Sequence, residues 1–160
     1  MKKDIAINGM LAAVYAVTTA LIAPIAFIGV QFRFSEILLF FAFYNRRYIV
    51  GLTIGCIIAN LYSPVGILDV VMGSAATVIV CLWIYAIKNH YLVPVIAAVV
   101  NGLLVGWMLY IVFEAPLVLT MSTVALGEFV VVVIGLLIFK QLEKVQYLMK
   151  LLKGNDPKWN

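Results

Sequence analysis

Residues 34–62 read FSEILLFFAFYNRRYIVGLTIGCIIANLY, and the placement of Arg46 and Arg47 inside that apolar run decides the fold. As one continuous span, the run would set two guanidinium groups near the bilayer centre, at about 2.5–3.5 kcal/mol each. As two short helices, 34–44 and 48–62, it turns at Asn45-Arg46-Arg47 and keeps both charges at a surface. The cost of this division is length. A helix over 34–44 rises only about 16 Å, half of a hydrocarbon core of about 30 Å. The first short helix is therefore expected to be tilted or shielded by its neighbours.

The rest of the chain fits around that division. Apolar segments at 5–23, 67–87, 91–113 and 117–139 each approach the roughly 20 residues of a bilayer span. Lys88-Asn89-His90 and Glu114-Ala115-Pro116 separate the last three, and an irregular stretch containing Gly29 runs from Pro24 to Arg33. Six spans with both termini cytoplasmic put ten of the 11 basic residues inside and leave Arg33 outside. Five spans would export the lysines of the C-terminal tail, against the positive-inside rule. The expected architecture is thus an all-α, six-helix membrane bundle forming a single domain over residues 1–160. At 66% hydrophobic and 11% charged, with mean hydropathy +1.15, the chain is not a soluble enzyme or a disordered regulator. Residues 141–153 keep helical spacing and carry Lys144, Lys150 and Lys153, so they read as an interfacial extension of the last helix, with a separate partner-docking helix as the alternative.

Ionisable and amide side chains at membrane depth are costly and become site candidates. Glu128 lies in Leu126-Gly127-Glu128-Phe129, with nothing local to neutralise it. Asn101 sits mid-span and Asn60 nearer the outer end. Asp69 and Glu36 fall at helix starts, where the dipole also favours a carboxylate. In Gln31-Phe32-Arg33-Phe34-Ser35-Glu36 a period-two alternation separates aromatic from polar side chains. That pattern fits an extended lid over a pocket, or an interfacial anchor pairing Arg33 with Glu36. In the six-span topology Arg33, Glu36, Asn60 and Asp69 lie toward the outer face with Asn101 and Glu128 deeper, which suits capture of a polar small molecule from outside and not a continuous pore.

Ala12, Ala16 and Ala20 recur at four-residue spacing, as do Gly51 with Gly55 and Gly102 with Gly106. Such strips allow close helix approach, either within the bundle or toward a partner. Cys56 and Cys81 lie in apolar runs and read as packing residues; His90 reads as a solvated loop residue. No metal-ligand spacing, no catalytic triad and no phosphate-binding loop occurs, so no cofactor is expected in this chain and no enzyme activity follows.

Val30-Gln31-Phe32-Arg33-Phe34-Ser35-Glu36-Ile37-Leu38 resembles the first-loop motif of QueT-type proteins, the queuosine-precursor S components of energy-coupling-factor (ECF) transporters. Collinear blocks at Gly55–Gly66, Asp69–Gly73, Asn101–Gly106 and Ala125–Glu128 resemble the same family. The resemblance implies a plasma-membrane S component that binds queuine or a related 7-deazaguanine. It would deliver the ligand with a membrane scaffold subunit and two cytoplasmic ATPases, which use the ATP. It further implies scaffold contact through Ala12, Ala16 and Ala20. Substrate contact is implied for Arg33, Glu36, Asn60, Asp69, Asn101 and Glu128, with Trp107 as a stacking candidate about 240° around its helix from Asn101. One carboxylate could accept a guanine-like N–H edge, and an amine-bearing precursor would suit a second, such as Glu36. An S component for another vitamin or nucleobase, or a membrane assembly protein, remains the alternative.

Overall fold

The computed structural model describes residues 2–23 and 31–159; most of the irregular stretch, residues 24–30, lies outside them. Among the described residues the chain is helical and has no strand. Helix α1 runs Lys2–Leu21, α2 Leu39–Tyr44, α3 Ile49–Asn60, α4 Ile67–Ala86, α5 Val93–Phe113, α6 Leu117–Leu142 and α7 Gln146–Lys153. Among the described residues four helices are long and apolar enough to cross a bilayer: α1, α4, α5 with its leading turn from His90, and α6. The divided run becomes the short helix α2, preceded by a 3-10 turn over Phe34–Leu38, and the short helix α3.

The breaks have local causes. Asn45 adopts extended backbone, and its side chain accepts from the Arg47 amide at 3.0 Å, which ends α2 and starts the 3-10 turn Arg46–Tyr48. Asn89 repeats the device before α5, and Pro94 sits in that helix's first turn, where its missing N–H costs nothing. Glu114 takes a left-handed φ of 52° that stops α5, and Pro116 leads into α6.

Glycines set the close approaches. A Cβ on Gly55 would lie 2.7 Å from the Tyr15 Cβ and 3.0 Å from the Ala12 backbone, so α1 and α3 nearly touch there. On Gly106 a Cβ would meet the Met121 backbone at 2.6 Å, which joins α5 to α6 in the same way. The alanine strip is split by this packing: Ala12 and Ala16 are buried, whereas Ala20 is exposed. The core is aromatic around α2, where Phe40 stacks on Phe139 at 5.1 Å and Tyr44 stacks on the same Phe139 ring at 5.9 Å.

The tail departs from the expected extension. Helix α6 ends at Leu142, the chain turns over residues 143–145, and α7 folds back across the end of the bundle. No Pro or Gly marks the break. Polar contacts hold it instead: Glu143 accepts from the Tyr44 hydroxyl at 2.7 Å and pairs with His90 at 3.3 Å. His90 is therefore a packed, half-buried contact residue and not a solvated one. Beyond Gly154 (φ 54°), Asp156 accepts from the Tyr85 hydroxyl and the Arg46 amide. Lys158 donates to the Phe43 carbonyl at 2.7 Å, and the Trp159 indole N–H to the Tyr44 carbonyl at 2.6 Å. The bundle thus has a tail end, with Asp4, Arg47 and the C-terminal segment, and an opposite end, where residues 31–36 meet α3 and α4.

Candidate functional site

At that opposite end the polar residues converge. Residues 31–33 are irregular and the 3-10 turn begins at Phe34, so the region is not the extended lid that the alternation suggested. The faces separate only in part: Gln31, Arg33 and Ser35 are buried, Phe32 is half-buried and Phe34 exposed, but Glu36 is buried too. The polar side faces the protein and the aromatic side faces outward, the inverse of a soluble amphipathic segment.

Arg33 grips Asp69. One guanidinium nitrogen donates to both carboxylate oxygens, at 3.1 and 3.2 Å, and both side chains are almost wholly buried. Asp69 lies in the first turn of α4, where the helix amide dipoles also favour its charge. Asn60, the last residue of α3, donates its amide to the Asp69 carbonyl at 3.0 Å and so ties the two helix ends together. Gly73, one turn further along α4, leaves the room. A Cβ there would lie 2.5 Å from the Asn60 nitrogen and 2.9 Å from an Asp69 oxygen.

Glu36 is held differently from the expected anchor. Its Oε1 accepts a short hydrogen bond from the Tyr15 hydroxyl of α1. One turn further along α1, Thr19 and Ser35 share a hydrogen bond of 2.7 Å. The second oxygen of Glu36 has no hydrogen-bond partner among the described residues. Glu128 is buried in α6, the helix that approaches the Glu36 turn, and its Oε1 has no hydrogen-bond partner among the described residues. The approach is possible because the 3-10 turn packs on α6, where a Cβ on Gly135 would sit 3.2 Å from the Ile37 Cα.

Arg33, Glu36, Asn60 and Asp69 therefore form one neighbourhood, with Glu128 on the helix packed against it. Asn101 is buried in α5, and its amide donates to the Ala97 carbonyl of its own helix at 3.2 Å. Trp107 is not brought in; it is 47% exposed on the outer face of α5. Tyr15, Thr19, Ser35 and Gly73 belong to the cluster and were not among the predicted residues. Tyr15 and Thr19 could have been found, since they lie four residues apart on the face that carries Leu11, Ala12 and Ala16.

Chemically the neighbourhood is rich in acceptors. One guanidinium stands against three carboxyl groups, and it is bonded to one of them. A buried carboxylate oxygen without a donor costs free energy until a donor arrives. The arrangement thus favours a compact ligand that offers several N–H groups.

A family model described as "QueT transporter" matches residues 5–144. A curated relative, "Queuosine precursor transporter QueT" of Lactococcus lactis subsp. cremoris (strain MG1363), is 31% identical over 157 residues, covering 88% of this chain and 92% of the relative. No solved structure matches the chain.

Proposed function

The chain belongs to the QueT transporter family, and we propose that it is the substrate-binding S component of an ECF-type importer for a 7-deazaguanine precursor of queuosine. The observation that carries the reading is Glu128: a buried carboxyl in the middle of a membrane-type helix that packs on the Glu36 turn, with no donor to its Oε1 among the described residues. A 7-deazaguanine presents a guanine-like N1–H and exocyclic amine side by side, and one carboxylate accepts both. Arg33, Asp69 and Asn60 frame the site, with Asn101 deeper along α5.

In this reading six segments, including α2 and α3, cross the plasma membrane, and the tail end faces the cytoplasm, in line with the placement of basic residues. The ligand enters from outside. The chain has no phosphate-binding loop, so energy comes from two cytoplasmic ATPases that act through a membrane scaffold subunit. The exposed Ala20 and the groove between α1 and α3, lined in part by Ala12, Gly9 and Val50, offer that scaffold a surface, with the buried Ala16 behind it.

Isothermal titration of the purified protein with 7-deazaguanines tests the reading. Tight binding is expected, and Glu128→Gln should weaken it by about ten- to hundredfold, the worth of a hydrogen bond to a charged group. Failure of every 7-deazaguanine to bind, with an unrelated vitamin binding tightly, would overturn it.

A further inference from the structure

We infer that the groove between α1 and α2, in the tail-end half of the bundle, holds one acyl chain of an anionic phospholipid from the cytoplasmic leaflet, with Lys3 meeting the lipid phosphate. The inference rests on the membrane reading and the orientation proposed above, and it does not involve the ligand named there.

One wall of the groove is α1, through Ile7, Met10, Leu11 and Val14; the other is Leu38 and Phe41, with Tyr48 toward the tail end. The groove has a structural cause. Helix α1 packs on α3 and on the 3-10 turns that flank α2, rather than on α2 itself, which has only six residues. The space left over is about 240 Å³, below the roughly 300–1,000 Å³ of a site that encloses a compact small molecule. Its lining is hydrocarbon and aromatic. The Tyr48 hydroxyl is its one polar side-chain group, and that oxygen already accepts from Arg47 at 2.7 Å. A polar ligand would find nothing to hold, whereas a length of flexible hydrocarbon chain matches both the size and the chemistry. Met10 and Val14 on the rim are exposed, so the groove opens sideways, toward the bilayer in this reading.

Depth and charge specify the headgroup. Lys3, Ile7, Met10 and Val14 fall at i, i+4, i+7 and i+11, one stripe of α1. From Val14 to Lys3 the helix rises about 16 Å, close to the roughly 15 Å of one leaflet's hydrocarbon. A chain lying against Val14 and Ile7 therefore brings its phosphate to the level of Lys3. Lys3 is exposed, and its stem can lie along the apolar stripe while the ammonium reaches the interface. Asp4, the acid of that first turn, is paired with Arg47 at 3.6 Å, on the side of α1 that faces α3. The mouth of the groove is thus cationic, and it favours a lipid with net negative charge over a zwitterionic one.

Native mass spectrometry of the detergent-purified full chain tests the inference, with added phosphatidylglycerol or phosphatidylcholine of the same acyl chains. One phosphatidylglycerol should be retained per chain, about fivefold more tightly than phosphatidylcholine, the worth of one lysine at a membrane surface. Lys3→Gln should abolish that preference and leave phosphatidylcholine binding unchanged. Val14→Trp should fill the groove and weaken both lipids by at least about tenfold, the worth of two buried CH₂ groups. Val118→Trp, at an exposed position of α6, should alter neither. Equal retention of the two lipids by the wild type would overturn the inference. So would unchanged retention by Val14→Trp, or a second copy of the chain bound in place of lipid. Lys3 is exposed, so Lys3→Gln keeps the inference open to refutation even where Val14→Trp fails to fold. None of these readouts depends on whether 7-deazaguanines bind, so the two readings fail separately.

Discussion

Removing Asp69 should damage the fold more than removing its whole ion pair. Arg33 and Asp69 are 4% and 0% exposed, and they meet through two hydrogen bonds of 3.1 and 3.2 Å. Asp69→Ala takes away the carboxylate and leaves a guanidinium in a place that water does not reach. Breaking a buried pair in this way typically costs about 3–5 kcal/mol. The backbone carbonyl that Asn60 uses survives the substitution, so that tie between α3 and α4 does not add to the loss. For a chain of this size each kcal/mol lowers the midpoint by about 2–4 °C, so a drop of roughly 6–20 °C is expected. The double variant Arg33→Met, Asp69→Leu replaces both charges with apolar volume and should return to within about 1 kcal/mol of the wild type. Cys56 and Cys81 are free and buried, so a thiol-reactive dye reports unfolding of the detergent-purified protein directly. The reasoning fails if Asp69→Ala melts within about 2 °C of the wild type, or if the double variant is as unstable as the single one.

Two further outcomes follow from other parts of the structure. Gly73→Ala should weaken ligand binding and lower the melting midpoint, because its Cβ would displace the Asn60 amide and the Asp69 carboxylate; overpacking of this kind costs about 1–3 kcal/mol, offset by about 1 kcal/mol of helix propensity. Adding Asn60→Ala should recover stability but not binding, and recovery of both would show that Asn60 has no part in the site. At the tail end, burial works to raise the Asp156 pKa, but bonds from the Lys158 and Arg46 amides and the Tyr85 hydroxyl outweigh it and hold the value below the usual one. A lowered carboxyl pKa stabilises above the unfolded value of about 3.9 and loses that contribution as pH falls through the folded value. Trp159 fluorescence, read in a Trp83→Phe, Trp107→Phe background, should report undocking below about pH 4. Asp156→Asn should undock at neutral pH, and an unchanged signal there would remove Asp156 from the latch.

Much of this was legible in the sequence because bilayer physics leaves few choices. Arg46 and Arg47 had to lie at a surface, and they do sit on a turn between two short helices. Arg33, Glu36, Asn60, Asp69 and Glu128 stood out because such groups are rare in apolar runs, and the fold gathers them. What failed has a common cause, in that periodicity reports faces and not connections. The alternation at 31–35 put the buried Gln31, Arg33 and Ser35 on one face, but it failed at Glu36, which is buried, because the backbone enters a 3-10 turn at Phe34. The tail kept helical spacing through Leu142 and Val145, so nothing local announced a fold-back that Tyr44, His90 and Tyr85 impose from a distance. Tyr15 escaped notice because a tyrosine in an apolar helix counts as hydrophobic, although its hydroxyl settles which oxygen of Glu36 stays available. Trp107 was a question of helix phase, and its exposure follows from the 240° that separates it from Asn101.

The contacts of Lys158 and Trp159 with α2 also bear on the order of synthesis. The Phe43 and Tyr44 carbonyls accept from side chains 115 residues later in the chain. A ribosome makes those donors long after α2, so α2 emerges with one end bound by its neighbours and the other still open. The rings of Phe43 and Tyr44 are covered by Trp159 only once that residue has been made. Without Lys158 and Trp159 this end of α2 would carry two carbonyls lacking those donors and a more open aromatic face.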